Sequence, residues 1–466
     1  MNKTMIEEIV KNVLDRMDNN QNLSIDTDNN GIFKSMNEAV EAAYIGQQKL
    51  RDCTMERKKE FVNAIKSELI KEENINLISK LGVEETRMGN FKDKVIKNRL
   101  AVEKTPGIED LKTEAMAGDN GLTLIELSPF GVIGAITPST NPSETVICNT
   151  IGMIAAGNSV VFAPHPSAKE TTITTIKLIN KALSKVNAPK NLVVTLEKPS
   201  LEEANVMMNH EKITMLVATG GPGVVKAVLS TGKKAIGAGA GNPPAVVDET
   251  ADIEKAAKDI VDGASFDNNI PCIAEKEVIA VDSIADYLIF NMKKSGAYEL
   301  TDLDKINELR KLVITPEGSP NKDFIGKDAC YILDKIGIKT NDNVKLIIFE
   351  TDEEDLFVVE ELMMPILPVV RVKDVDEAID LAVKVENGNR HTSMMHSKNV
   401  YKLTDMAKRI QTTIFVKNGP SYAGIGVGGE GYTTFTIAGP TGEGLTSAKT
   451  FTRKRRCVLV GGFHIK

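Results

Sequence analysis

Apolar residues recur at helical spacing at the start of this chain, then give way to short apolar runs alternating with amphipathic stretches. In residues 1–17, Met5, Ile6, Ile9, Val10, Val13, Leu14 and Met17 share one face of a helix, while Glu7, Glu8, Lys11, Asn12, Asp15 and Arg16 take the other. The polar stretch DNNQNLSIDTDNNG at 18–31 has too little apolar content to pack and reads as a linker, so this first helix is expected to be tethered rather than embedded. Helical spacing resumes from Ser35 to about Leu100 and predicts an α-rich opening to the folded body.

Beyond it the pattern alternates. LTLIEL and GVIGAIT read as strands, TVICNTIGMIAAG as a helix, SVVFAP as a strand, TTITTIKLINKAL as a helix and NLVVTL as a strand. The chain continues through ITMLVATG, PGVVKAVLST, KAIGAG and PAVVDE to the helix of IEKAAKDIVDGASF. A second stretch runs from EKEVIAV at 275–281 through ADYLIFNMKKSG to KLIIFE, PVVRVKD and TTIFVKN. Strand and helix in turn imply parallel sheets with crossover helices, hence two α/β domains. A Thr- and Gly-rich tail closes on the strand-like CVLVGG, a form suited to pairing with a partner subunit.

Composition narrows the picture. With 466 residues, 42% of them hydrophobic, the chain can bury two or three sizeable cores. A net charge of -7 leaves RKRR at 453–456 as a single basic run, so nucleic acid is not expected as a partner. Cys53, Cys148, Cys272, Cys330 and Cys457 form no CxxC pair, which points to a reducing compartment and to neither disulfides nor zinc. His165, His210, His391, His396 and His464 show no ligand spacing, and no metal is expected. No apolar run approaches the ~20 residues that span a bilayer, and Glu7, Glu8 and Asp15 interrupt any signal peptide, so a soluble intracellular protein is expected.

Five strings carry candidate chemistry. In SFDNNIPCIAEKEV, Cys272 follows a helix, polar residues and a proline and precedes a strand; a loop cysteine near helix ends can have a depressed pKa and act as a nucleophile, and the same string fits a packed, inert thiol. In ITPSTNPSETVICN, Asn141 stands between a strand and a helix, where its amide can donate to an oxyanion or serve only in a turn. MLVATGGPGVVKAVL is a strand, a glycine-rich turn and a helix, either a phosphate cradle or a tight βα turn. KKAIGAGAGNPPAVVDE places small residues where a ligand or a close-packed element lies against the backbone. In EELMMPILPVVRV, Glu361 precedes a strand by five residues, placed to reach a cofactor sugar or simply solvent.

Together, in this order, ITPSTNP, IGAGAGNPP, DNNIPCIAEKEV, ELMMPILPVVRV and TIAGPTGEG resemble the aldehyde dehydrogenase superfamily, and within it the coenzyme A-acylating branch of bacterial microcompartments. The resemblance covers residues 32–460. It implies Cys272 as nucleophile, Asn141 as oxyanion amide, Glu361 at the nicotinamide ribose, and Thr219, Gly220, Gly221, Pro222 and Gly223 below the cofactor pyrophosphate, with His165 a candidate ribose contact. The implied fold is α/β, with a Rossmann-like cofactor domain at 32–108 and 130–240, a catalytic domain at 241–433, and an oligomerisation arm at 109–129 and 434–466 that makes a homodimer or homotetramer. Hydrolytic relatives carry a water-activating glutamate, and the reading matches that position to Gly237, favouring transfer to coenzyme A over release of a free acid. The implied reaction takes a short-chain aldehyde, propionaldehyde or acetaldehyde, to its acyl-CoA through a Cys272 thioester, with NAD preferred because no basic residue awaits a 2'-phosphate in VVFAPHPSA. Residues 1–17 resemble the encapsulation helices that bind microcompartment shell proteins. The rival readings are a hydrolytic aldehyde dehydrogenase and an inactive shell adaptor.

Overall fold

The computed structural model describes residues 30–341 and 343–464, so the amphipathic pattern at 1–17 lies outside the described residues. The helical opening divides into α1 (Met36–Arg51), α2 (Met55–Leu69), α3 (Glu72–Thr86) and α4 (Phe91–Lys104). Ser35, Thr54 and Asn90 cap three of them by accepting a backbone N–H.

The first parallel sheet comprises β1 (Ile32–Phe33), β4 (Val132–Thr137), β5 (Ser159–Pro164), β6 (Val193–Leu196), β7 (Ile213–Thr219) and β8 (Lys234–Ala238), in the order β1-β6-β5-β4-β7-β8. All six residues of β5 are buried, as a strand covered on both faces requires. From β4 the chain moves outward to β5 and β6, then returns to the other side of β4 with β7. The crevice beyond the carboxyl ends of β4 and β7 is therefore a topological switch point, the place where open α/β sheets bind ligands.

The second parallel sheet, in the order β11-β12-β13-β10-β9-β14-β15, uses β9 (Pro244–Val247), β10 (Glu277–Val281), β11 (Ala297–Glu299), β12 (Leu346–Glu350), β13 (Ile366–Val372), β14 (Thr392–His396) and β15 (Ile414–Lys417). The crossovers of the first sheet are α5 (Pro142–Ala155), α6 (Lys169–Lys185), α7 (Leu201–Asn209) and α8 (Pro222–Leu229), and α9 (Ile253–Ser265) leads from β9 toward β10. In α9, Ala256, Ala257, Ile260, Val261 and Ala264 are buried at helical spacing, and Asp252 caps its N-terminus.

An arm stands apart: β2 (Glu114–Gly118), β3 (Gly121–Pro129) and β18 (Thr452–Val460) form an antiparallel sheet, while β16 (Ile437–Ala438) and β17 (Gly444–Leu445) make a small hairpin. The expected terminal strand begins five residues earlier than CVLVGG, because Arg453–Arg456 pair with Ser128–Ile125 and stay in water. No helix among the described residues is long and apolar enough to cross a membrane.

Candidate active site

The β8–β9 link, residues 239–243, carries the chain directly from the carboxyl end of the first sheet to the amino end of the second. Gly241 precedes β9, Cys272 precedes β10, Glu361 precedes β13 and His391 precedes β14, and these four strands are neighbours in the order β13-β10-β9-β14. Facing them in the chain's layout are the carboxyl ends of β4, β7 and β8, which carry Asn141, the Thr219–Gly223 turn and the glycines after Ala238.

The loop bearing Cys272 is built by a local exception to ordinary backbone geometry. Asp267, Asn268 and Asn269 all adopt left-handed φ, at 47°, 55° and 64°. Asp and Asn tolerate that region better than other side-chain-bearing residues because they bond locally. Here each is also tied down. Asp267 accepts from the Asn90 N–H at 2.9 Å and pairs with Lys94 and Lys97; Asn268 donates to Gly326 O and Asp328; Asn269 donates to Ala264 O and Glu275 O. The turn reverses the chain out of α9 and leaves Cys272 half-buried at its end.

Asn141 is the N-cap of α5, yet its side chain caps nothing. Its Oδ1 instead accepts from Lys97 Nζ at 2.6 Å, and its Nδ2 reaches only Thr140 Oγ1 at 3.3 Å. Lys97 is fully buried and also pairs with Asp267 at 2.5 Å and Glu144 at 3.1 Å.

A loop place near helix ends left a depressed thiol pKa open for Cys272, and in this structure the direction is upward. Burial pushes the thiol up to about 12, the Glu361 carboxylate adds to the rise, and Lys276 and Lys97 oppose it. Lys276, fully enclosed, donates to Asn269 O at 3.0 Å and Oδ1 at 2.7 Å. Burial draws its ammonium below the ordinary lysine range against the pull of Glu361 and Cys272, and burial raises Glu361 against the pull of Lys276.

The sequence reading left His391 aside. A Cβ added to Gly241 would lie 2.7 Å from Cys272 O and 2.9 Å from the His391 ring, so this glycine is what lets the cysteine's carbonyl and the imidazole both pack against its backbone. Burial holds His391 down at about 4, hence neutral; Nδ1 contacts Thr392 Oγ1 at 2.9 Å and Nε2 has no hydrogen-bond partner among the described residues. Nothing in the string GNRHTSMMH marks it, because its place beside Gly241, near the cysteine loop, is made only by the fold.

The phosphate-type turn has room. A Cβ at Gly220, Gly221 or Gly223 would meet nothing within 4 Å among the described residues, and Gly221, the N-cap of α8, offers no side-chain cap. Open backbone at a helix N-terminus fits a dinucleotide pyrophosphate. Thr219 shares its hydroxyl with Thr436 at 2.8 Å. His165 follows β5, accepts from the Ser167 N–H through Nδ1, and donates its own N–H to Thr137 O.

The small-residue string divides by position. Gly241 is packed by protein, while Gly239 has open space beside it. Gly237 turns out to be the wrong match for the missing base, since its Cβ direction meets Val225 of α8 at 2.6 Å. Ile236, on the opposite face of β8, lies in the core against which Cys272 packs, and alternation puts the buried Ala238 on that same face. Ala238 is thus the position that lacks a carboxylate on the cysteine's side.

The model of the aldehyde dehydrogenase family matches residues 16–300. The chain is 48% identical to a CoA-propanoylating propanal dehydrogenase of Citrobacter freundii, over the whole of both chains. It superposes with a TM-score of 0.93 on a Rhodopseudomonas palustris propionaldehyde dehydrogenase solved with bound CoA and an acylated cysteine, at 62% identity over 94% of this chain and 100% of that one. A propionaldehyde dehydrogenase from the Clostridium phytofermentans fucose utilisation microcompartment gives 0.92 and 53%, over 94% and 100%.

Proposed function

Because the chain belongs to the aldehyde dehydrogenase family, we propose that it oxidises a short-chain aldehyde, propionaldehyde or acetaldehyde, to the acyl-coenzyme A thioester with reduction of NAD. The observation that carries this reading is the meeting of Cys272, Glu361, Gly241 and His391 at adjoining strand ends, with Asn141 tied to the same loop through Lys97 and Asp267.

Cys272 loses its thiol proton to water, and the thiolate Sγ forms the bond to the aldehyde carbon as the carbonyl π pair moves to oxygen. The oxyanion that results is met by the Cys272 main-chain N–H and by Asn141 Nδ2, whose own oxygen is already engaged. NAD, when bound along the Thr219–Gly223 turn with Glu361 at its ribose, supplies the acceptor for the hydride. His391 is the neutral base against the cysteine loop and takes the proton of the incoming coenzyme A thiol. Attack by that sulfur makes the new thioester and releases Cys272 as the leaving group, and the reverse sequence reduces an acyl-CoA.

With Ala238 in place of a carboxylate, water lacks a general base whose help is typically worth ~100- to ~10,000-fold. Propionaldehyde and NAD without coenzyme A should therefore give a burst of about one NADH per active site and then very slow turnover, with full turnover on adding coenzyme A. Undiminished release of free propionate would instead establish the hydrolytic reading.

Residues 1–17 are assigned to a microcompartment shell protein, on the strength of their apolar stripe and of the similarity to an enzyme from such a compartment. The sheet β2-β3-β18, with Met116, Val458, Leu459 and Val460 exposed, is assigned to pairing with a second copy in a homo-oligomer.

A further inference from the structure

We infer that Lys97 is a positioning residue for the oxyanion site, fixing the Asn141 carboxamide so that its N–H groups, and not its oxygen, face the reacting carbonyl. The inference rests on Asn141 being the oxyanion donor. An ammonium has only donors, so the amide atom 2.6 Å from Lys97 Nζ must be the oxygen, and the nitrogen is forced to the other side. With Asn141 nearly enclosed and its oxygen occupied by a buried cation, the flipped amide would set N–H against N–H at the cost of a buried charge-assisted bond. The same contact draws electron density toward Oδ1 and sharpens Nδ2 as a donor.

The lysine is itself fixed. Its ion-pair partners, Asp267 Oδ2 and Glu144 Oε1, are both fully buried, the Phe435 ring lies 6.0 Å away, and Lys94 shares Asp267 at 3.1 Å. Two ammonium groups and two carboxylates balance in formal charge. Asp267 lies five residues before Cys272 in the left-handed turn, so one side chain, Lys97, joins the oxyanion amide to the loop that carries the nucleophile.

A double-mutant cycle on the single-turnover NADH burst from propionaldehyde tests this. Asn141→Ala should slow the burst about a hundredfold. Lys97→Met should slow it about ten- to a hundredfold, with the dissociation constant for NAD unchanged and partial recovery in Lys97→Arg. If Lys97 acts through Asn141, adding Lys97→Met to Asn141→Ala slows the burst no further. Should Lys97→Met fail to fold because Glu144 is stranded, Lys97→Met with Glu144→Gln keeps the charge balance and is judged by the same criterion. Slowing that multiplies fully in the double variant overturns the inference. A burst untouched by Asn141→Ala overturns the assignment of Asn141 itself.

Discussion

Burial, with the Glu361 carboxylate adding to it, raises the Cys272 thiol to about 12. Cys148 has a thiol raised equally, to about 12, but it is buried in the core, where it accepts from Thr105 Oγ1 and meets the Phe435 main chain. The difference between the two is therefore one of neighbours and not of acidity. Cys272→Ala should abolish aldehyde oxidation while thermal stability and NAD binding stay near wild type, since Cys272 forms no structural hydrogen bond through its sulfur beyond its own main chain. Mass spectrometry of enzyme held with propionaldehyde and NAD should place the acyl group on Cys272; finding it on Cys148 or Cys330 would reject the assignment.

The left-handed turn at 267–269 is the element that most needs its own side chains. Asn269→Gly keeps the backbone freedom and loses two hydrogen bonds to main-chain carbonyls, whereas Asn269→Ala loses both and adds strain at φ 64°. Both variants should melt below wild type, Asn269→Ala lowest and with the lower activity; equal melting temperatures would show that the turn is not strained. Such a turn was only half visible in DNNIPC: the residue types announced a loop, but three successive positive φ angles depend on partners from Asn90 to Asp328. Central strands such as SVVFAP were legible because burial on both faces makes a plain apolar run. By contrast β14, TSMMH, mixes polar and apolar residues although all five are buried, and β2, EAMAG, is wholly exposed, so neither carries a period of two. Asn141 and Cys272 stood out through Asn-Pro and Pro-Cys turns; Lys97 did not, because a lysine on an amphipathic helix looks solvated until Glu144 and Asp267 are folded against it. For the segment at 1–17, deletion should leave specific activity unchanged, and fusion to a fluorescent protein should carry it into assembled shells. A diffuse fusion, or a truncated enzyme that unfolds, would assign the stripe to the enzyme's own body instead.

Over the whole molecule, buried titratable groups link stability to pH in opposing directions. His391 and His396 are each drawn down to about 4 by burial, so the unfolded chain takes up protons that the folded one refuses. Their contribution is complete above the ordinary histidine value of ~6.5 and is lost as pH falls toward 4. Glu277 behaves oppositely. Burial and the nearby Glu386 raise it well above the ordinary range against the pull of Lys276, and neither carboxyl oxygen has a hydrogen-bond partner. A folded-state pKa that is raised keeps its proton where the unfolded chain has released it, so its contribution is present below ~4.5 and is lost as pH rises. Above pH ~6.5 the histidines have finished titrating, and Glu277 can be read by comparison with a neutral isostere in which Lys94 and Lys276 are common to both proteins. Glu277→Gln should therefore raise the melting temperature relative to wild type, by more at pH 8.5 than at pH 6.5, because an amide removes the cost of a buried ionising acid without disturbing a bonded partner. A gap that shrinks with rising pH, or a variant less stable than wild type at pH 8.5, would mean that Glu277 is ionised in the folded protein and held by Lys276 as a true ion pair.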